Sequence, residues 1–272
     1  MLYSVDTILA SEGETMKRKG AKTIKEIPAD ILKKLNSGEI EAVNLPEGLA
    51  VNQHILMQNT FPELPAHMLA KVKGIMDEGV TKRMKLCGEV LHEAYGRDII
   101  PELLSHPSDT VRGWGAYAVG AMEDVHVDER LRLIRPFADD SHYSVREWAW
   151  IAVRKDIINE LEASLNILAD WSLDSSEAIR RFASEATRPR GVWAPHIKAL
   201  RLQPEMGEPV LEPLKDDASK YVQDSAANWI NDASKDRPDW AKGICERWLC
   251  ESPSQHTERI CRRGLRTLNK QR

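Results

Sequence analysis

Four stretches of the chain repeat one arrangement of polar and apolar positions: "HPSDTVRGWGAYAVGA" from His106, "DSHYSVREWAWIAVR" from Asp140, "LDSSEAIRRFASEATR" from Leu173 and "DDASKYVQDSAANWIND" from Asp216. A fifth, "ESPSQHTERICRRGLRTL" from Glu251, follows it more loosely. Each begins with a cluster of Asp, Ser or Pro, continues through a branched residue and a charged or polar one, and then runs on with helical character. The branched anchors are Val111, Val145, Ile179, Val222 and Thr257, spaced 34, 34, 43 and 35 residues apart. That spacing is the length of a two-helix repeat. The polar cluster supplies N-caps, whose side-chain oxygens accept from the orphan N–H groups of a first helical turn.

Positions +0, +3, +4 and +7 from each anchor share one helical face. They read Val111/Trp114/Gly115/Ala118, Val145/Trp148/Ala149/Ala152, Ile179/Phe182/Ala183/Ala186 and Val222/Ser225/Ala226/Trp229. One large residue among small ones suits close helix stacking. Partner helices are expected between them, over 125–137 and 157–171, and no strand-like alternation interrupts. The pattern resembles HEAT-type repeats, which implies an all-α, HEAT-like α-solenoid (an α-α superhelix) with a concave face offered for binding. Residues 61–272 are expected to form one continuous solenoid, and residues 1–60 an N-terminal arm and helical cap. Within that cap, "TIKEIPADILKKLNSG" predicts a helix that starts near Ile27–Asp30 and stops at Asn36–Gly38. The first twenty residues, with the basic "MKRKG", read as a loose arm or a duplex contact.

With +0, +3, +4 and +7 buried, positions +2 and +6 face the concavity. These are Gly113, Glu147, Arg181 and Asp224, then Tyr117, Ile151, Glu185 and Asn228. Asp232 lies one turn beyond Asn228. Glu147, Glu185 and Asp232 are therefore expected along one surface, contributed by successive inner helices. Around Glu185 the string "SEATRPRGVW" adds Arg188, Arg190 and Trp193 at a helix exit marked by Pro189 and Gly191. Such a tryptophan is either a platform for an aromatic or cationic ligand or a plug in the interhelix core. Trp150, at +5, is either a ligand-facing aromatic or a packing residue.

Composition narrows the classes. Of 272 residues, 42% are apolar and 29% charged, as in an ordinary soluble protein, and no apolar run reaches the length of a membrane span. With acids where a secretory signal would be basic, the chain is expected to be cytoplasmic. Cys87, Cys245, Cys250 and Cys261 lack zinc spacing and read as reduced thiols, and the eight histidines are scattered singly, so no metal or other cofactor is expected. Residues 1–170 hold 20 Lys and Arg against 27 Asp and Glu, whereas residues 171–272 hold 18 against 15. The basic end (Arg259, Arg262, Arg263, Arg266, Lys270 and Arg272) fits a polyanion partner, and equally a solvated terminal helix.

Three elements carry a more specific resemblance. "ASEATRPRGVW", the later "DDASKYVQDSAANWINDASKD" and the N-terminal "LKKLNSGEIEAVNLPEGLAVNQ" resemble the DNA alkylation-repair glycosylases of the AlkC/AlkD superfamily, in its AlkC-like branch. That branch shows Ser-Glu-Gly-Thr-Arg-Pro-Arg…Trp, Ser-Val-Ala-Asn-His-Leu-Asn-Asp and Leu-Asn-x-Gly-x-Ile-Glu elements. The resemblance implies a solenoid that cradles duplex DNA containing alkylated bases. It also implies a monofunctional N-glycosylase, needing no cofactor, that hydrolyses the N-glycosidic bond of cationic N3- or N7-alkylpurines. Glu185 matches the acid of the first element, Trp193 its aromatic and Asp232 the acid of the second. Ala186 stands where the family has Gly. One repeat earlier the family's acid is replaced by Glu147 in a shifted register.

On this reading Glu185, Asp232 and Glu147 are the catalytic carboxylates, and Trp193 and Trp150 contact substrate. Arg188 and Arg190 clamp phosphates beside the lesion, and Arg259, Arg262, Arg263 and Arg266 extend the grip along the DNA backbone. The protein is expected to act as a monomer. Two alternatives remain open: a non-catalytic relative that binds distorted or branched DNA, and a HEAT-repeat scaffold for protein partners.

Overall fold

The computed structural model describes residues 18–123, 125–191 and 193–270. Most of the loose arm expected over the first twenty residues lies outside the described residues, as does Arg272. The N-terminal part contains α1 (Ala29–Ser37), α2 (Leu45–Ala50), α3 (Gln53–Thr60) and α4 (Ala66–Gly74). The α1 boundaries agree with the sequence expectation. Gly38 ends the helix in the left-handed region (φ 78°), where its N–H and that of Glu39 take up the last carbonyls.

The repeats follow as α5 (Val80–Tyr95), α6 (Ile100–Leu104), α7 (Asp109–Ala121), α8 (Val127–Ala138), α9 (Tyr143–Asn159), α10 (Leu161–Trp171) and α11 (Glu177–Ala186). The chain closes with α12 (Lys198–Leu202), α13 (Glu208–Leu211), α14 (Lys220–Ala233), α15 (Pro238–Glu251), α16 (Gln255–Gly264) and α17 (Arg266–Asn269). Among the described residues there is no strand, and no helix is long and apolar enough to cross a membrane. The fold is an α-solenoid. Helices α5, α7, α9, α11, α14 and α16 stack in sequence as an inner row, while α8, α10 and α13 pack behind it.

All four well-matched anchors are fully buried. The residue after each anchor acts across the repeat. Arg112, Arg146 and Arg180 each fold back onto two carbonyls of the preceding loop, and Gln223 onto one. Arg112 and Arg180 also pair with Asp140 and Asp217 of the following repeat. Those aspartates in turn accept from the backbone N–H two residues on, and so shape the turn that launches each inner helix. The N-caps Ser176, Ser219 and Ser254 accept from their own first turns.

Two features depart from expectation. The partner helix set at 157–171 begins at Leu161, because Ile157 completes the apolar stripe of α9 and the break is a single non-helical residue, Glu160. No Gly or Pro marks that turn. Trp148, placed in the buried stripe, is only half-buried. It lies so close over Gly113 that a Cβ there would come within 2.7 Å of its ring. The wide spacing between Ile179 and Val222 holds the loop 187–197 and the short α12.

The N-terminal segment is docked onto the inner row rather than stacked behind it. Asp109 accepts from the Ala42 N–H, His142 bonds the Ala42 carbonyl, and Glu41 reaches Arg112. Arg18 holds the buried Glu47 through a two-pronged pair. Helix α2 thereby covers the N-terminal ends of α7 and α9 and walls one side of a cavity.

Candidate active site

The site is built around the exit of α11. Arg154 on α9 is completely buried and donates to the carbonyls of Ala186 (2.6 Å), Arg188 (2.5 Å) and Pro195 (2.9 Å). It satisfies the orphan carbonyls at the helix end and fixes the loop beyond it. Burial pulls its pKa down to about 10, helped by the nearby Arg188, so it remains charged at neutral pH. A Cβ on Gly191 would come within 3.1 Å of this guanidinium, so the loop passes where a side chain would crowd. The Ile197 N–H closes the loop onto the Pro189 carbonyl.

Within this frame Glu185 and Asp232, 4% and 3% exposed, share one guanidinium. Arg188 donates from Nη1 to Glu185 Oε1 at 2.6 Å and from Nε to Asp232 Oδ2 at 2.9 Å, and its Nη2 lies 2.8 Å from the same Asp232 oxygen. The second oxygen of Glu185 accepts from Ser225 Oγ at 2.7 Å, and Lys235 approaches Asp232 Oδ1 at 3.2 Å. Glu147 joins through Arg181, whose Nη2 lies 2.6 Å from it and 3.7 Å from Glu185. Trp150 Nε1 donates to Glu147 at 2.9 Å. Three carboxylates thus face two guanidiniums and the Lys235 ammonium. Burial pushes the Glu185 pKa up, but Arg181, Arg188 and the hydrogen bonds from Arg188 and Ser225 outweigh it and hold the group below its ordinary range.

A cavity of about 420 Å³ opens onto Glu147, Arg181, Glu185 and Arg188. Trp148, Tyr143 and Leu45 contribute apolar wall, and Trp193 stands at its rim. Trp193 is 59% exposed and has φ 59°, so an aromatic residue sits in left-handed backbone. Such placements are uncommon outside functional sites.

The structure brings Glu147, Glu185, Trp150 and Trp193 to one cavity, with Asp232 joined to it through Arg188. Trp150, 2% exposed, forms wall from beneath, packed under the Arg154 guanidinium. The two arginines set against phosphates by the sequence reading are engaged within the protein. Arg188 is 8% exposed between its carboxylates, and Arg190 pairs with Asp236, which Arg201 also grips. The hydrogen bonds from Arg201, with Arg190 alongside, hold Asp236 at about 2. Farther along, Arg259 and Arg263 pair with Asp224, Arg266 donates to Asn228, and Arg262 is exposed. Sequence reasoning did not assign Arg181, Ser225 or Arg154 to the site. The first two stand at +2 and +3 of their repeats, so only their lateral partners reveal the role. Among the described residues no group of three or more His, Cys, Asp and Glu could hold a metal ion.

No protein-family model matches the chain. It is 36% identical over 145 residues to YhaZ, an uncharacterised protein of Bacillus subtilis (strain 168), an alignment covering 53% of this chain and 38% of the relative. The structure is similar to that of the Pseudomonas fluorescens alkylpurine DNA glycosylase AlkC bound to DNA containing an abasic site analog. The TM-score is 0.67 at 27% identity, over 93% of this chain and 66% of that one. AlkD2 from Streptococcus mutans matches with TM-score 0.56 at 20% identity, over 73% of this chain and 97% of its own, which shows the fold alone. The chain thus spans less than two thirds of the length of both YhaZ and AlkC. On its fold, and on the three motif elements that fall within it, the chain belongs to the AlkC/AlkD alkylpurine DNA glycosylase superfamily.

Proposed function

We propose that this protein is a DNA repair glycosylase that hydrolyses the N-glycosidic bond of cationic N3- or N7-alkylpurines in duplex DNA. The observation that carries the reading is the buried Glu185–Arg188–Asp232 network beside the cavity that Trp193 borders. A cationic base is already a good leaving group and needs little protonation. The barrier lies in the positive charge that develops on the sugar as the bond opens. Carboxylates fixed before the reaction stabilise that charge without reorganising. Glu185, held ionised by its arginines, suits this electrostatic part better than that of a proton acceptor. Asp232 orients the attacking water, and the exposed face of Trp193 attracts the cationic nucleotide.

A second reading, DNA binding without cleavage, draws on Glu147. Its oxygens are taken by Arg181 and by Trp150 Nε1, and it stands in a shifted register relative to the family's acid. The two readings separate in one experiment: methylated duplex is incubated with excess protein, and bound DNA and free base are measured together. The glycosylase reading expects 3-methyladenine or 7-methylguanine to appear in a single turnover. Binding without base release would leave the second reading standing.

A further inference from the structure

Beyond Trp193 lies a second cavity, of about 300 Å³, between α5, α7 and α9. Ile151 and Trp193 line both cavities, so the two are separated by little more than those side chains. The second differs in its chemistry. Lys85, Lys155 and Arg154 border it, with Glu89 as its one carboxylate. Arg154 is committed to loop carbonyls and Lys85 pairs with Glu89. Lys155 is exposed, and among the described residues no carboxylate lies within 4 Å of its ammonium.

Tyr117, also on this wall, is 5% exposed, and its ring packs against Trp148. Its hydroxyl is buried with no hydrogen-bond partner among the described residues. Leaving such a group unpaired is unfavourable, so native proteins seldom do so without a ligand or water to satisfy it. Burial pushes the phenol above its ordinary range, so the group stays a donor. Tyr117 stands at +6 in its repeat, the position that Ile151 and Glu185 hold in the next two, and so lies on the same surface as the carboxylates.

We propose that Tyr117 Oη and the Lys85 and Lys155 ammoniums receive one backbone phosphate of the bound strand. A phenolic donor that shares a cavity wall with cations suits a phosphodiester oxygen. A phosphate seated there places the adjoining sugar across Trp193, toward Glu185. The inference rests on the DNA reading above and adds the group that sets the strand's register.

The test uses Tyr117→Phe, Lys155→Gln and, as a control on α15 away from this cavity, Lys242→Gln. Tyr117→Phe keeps the ring on Trp148 and removes a hydroxyl that has no partner in the free protein. A merely structural hydroxyl therefore predicts unchanged duplex affinity. The expected result is binding weakened about tenfold by Tyr117→Phe with the melting temperature unchanged or higher. Lys155→Gln should weaken binding similarly and make the log-log salt slope shallower by about one, and the control should bind as the parent does. A single neutral methylphosphonate, moved along the strand, should weaken the parent at one position and leave Lys155→Gln unaffected there. Parent-like binding by both Tyr117→Phe and Lys155→Gln would overturn the phosphate site and leave the DNA reading intact. Failure of the parent to bind duplex would overturn both.

Discussion

At the scale of single residues, the site combines one strained aromatic with buried carboxylates whose charge is fixed by neighbours. Trp193 holds left-handed backbone that costs a non-glycine residue roughly 1–2 kcal/mol. Asn tolerates that conformation better. Trp193→Asn should therefore lie within about 1 kcal/mol of the parent in denaturant unfolding while base release slows at least tenfold, and a parent-like rate would remove Trp193 from the site. The carboxylates make a pH prediction. Glu185 is held below its ordinary range and Asp236 at about 2, against usual values of 4.5 and 3.8. Groups lowered on folding stabilise the native state above their unfolded pKa, and that contribution disappears as pH falls through the folded value. The stabilisation from these two groups should hold from neutrality to about pH 5 and disappear below it, so thermal stability should fall less steeply below pH 5 in Asp236→Asn than in the parent. An equally steep fall below pH 5 in Asp236→Asn and the parent would contradict this assignment. The convergence of Glu185 and Trp193 on one cavity, with Asp232 alongside, was legible in the sequence through their motifs and repeat positions. The engagement of Arg188 and Arg190 was not, because a sequence does not say which of two anions, phosphate or carboxylate, an arginine faces.

At the scale of helices, stacking depends on small residues where inner helices meet. A Cβ on Gly88 of α5 would lie 2.7 Å from both the Ala118 nitrogen and the Trp114 carbonyl oxygen of α7. Backbone cannot yield as a flexible side chain does. Gly88→Ala should destabilise by about 1–3 kcal/mol despite the better helix propensity of Ala, measured by urea unfolding. An unchanged midpoint would show that α5 and α7 can separate freely. Much of this level was readable. The anchors, the N-cap clusters and the α1 boundaries follow from local chemistry, because each depends on residues within a turn or two of the chain. The α9–α10 turn escaped because nothing in its sequence breaks a helix, and Trp148 because its position depends on a glycine 35 residues away on α7. The charged residue after each anchor was visible as a pattern, but its hold on the preceding loop and the following repeat emerges only when the repeats stack.

For the whole molecule, the proposed function raises the question of how a chain of net charge −4 would hold a polyanion. Many of its cations are neutralised internally. Arg112, Arg180, Arg181, Arg188, Arg190, Arg259 and Arg263 all pair with carboxylates, and they shape the protein more than they enlarge its field. Phosphate contacts are left to exposed cations outside those pairs, Lys155 and Arg262 among them. With about four contacts, duplex affinity should fall about a hundredfold between roughly 50 and 200 mM salt. A scaffold for protein partners would show no duplex affinity to lose. The order of the inner row was readable from the repeat spacing. The docking of α2 over the cavity was not, since it depends on contacts such as Ala42 to Asp109 and His142 that join distant parts of the chain.

Single-turnover base release from methylated duplex decides whether Glu185 and Asp232 act on the glycosidic bond. The parent, Glu185→Gln and Asp232→Asn are compared at saturating protein, with melting temperature and duplex affinity measured on the same preparations. Two variants are needed because Glu185→Gln leaves Arg181 and Arg188 short of a buried partner and is expected to lower stability. The parent should release base, and folded variants that still bind the duplex should do so at least about a hundredfold more slowly. Release within about threefold of the parent from both folded variants would contradict that role for Glu185 and Asp232.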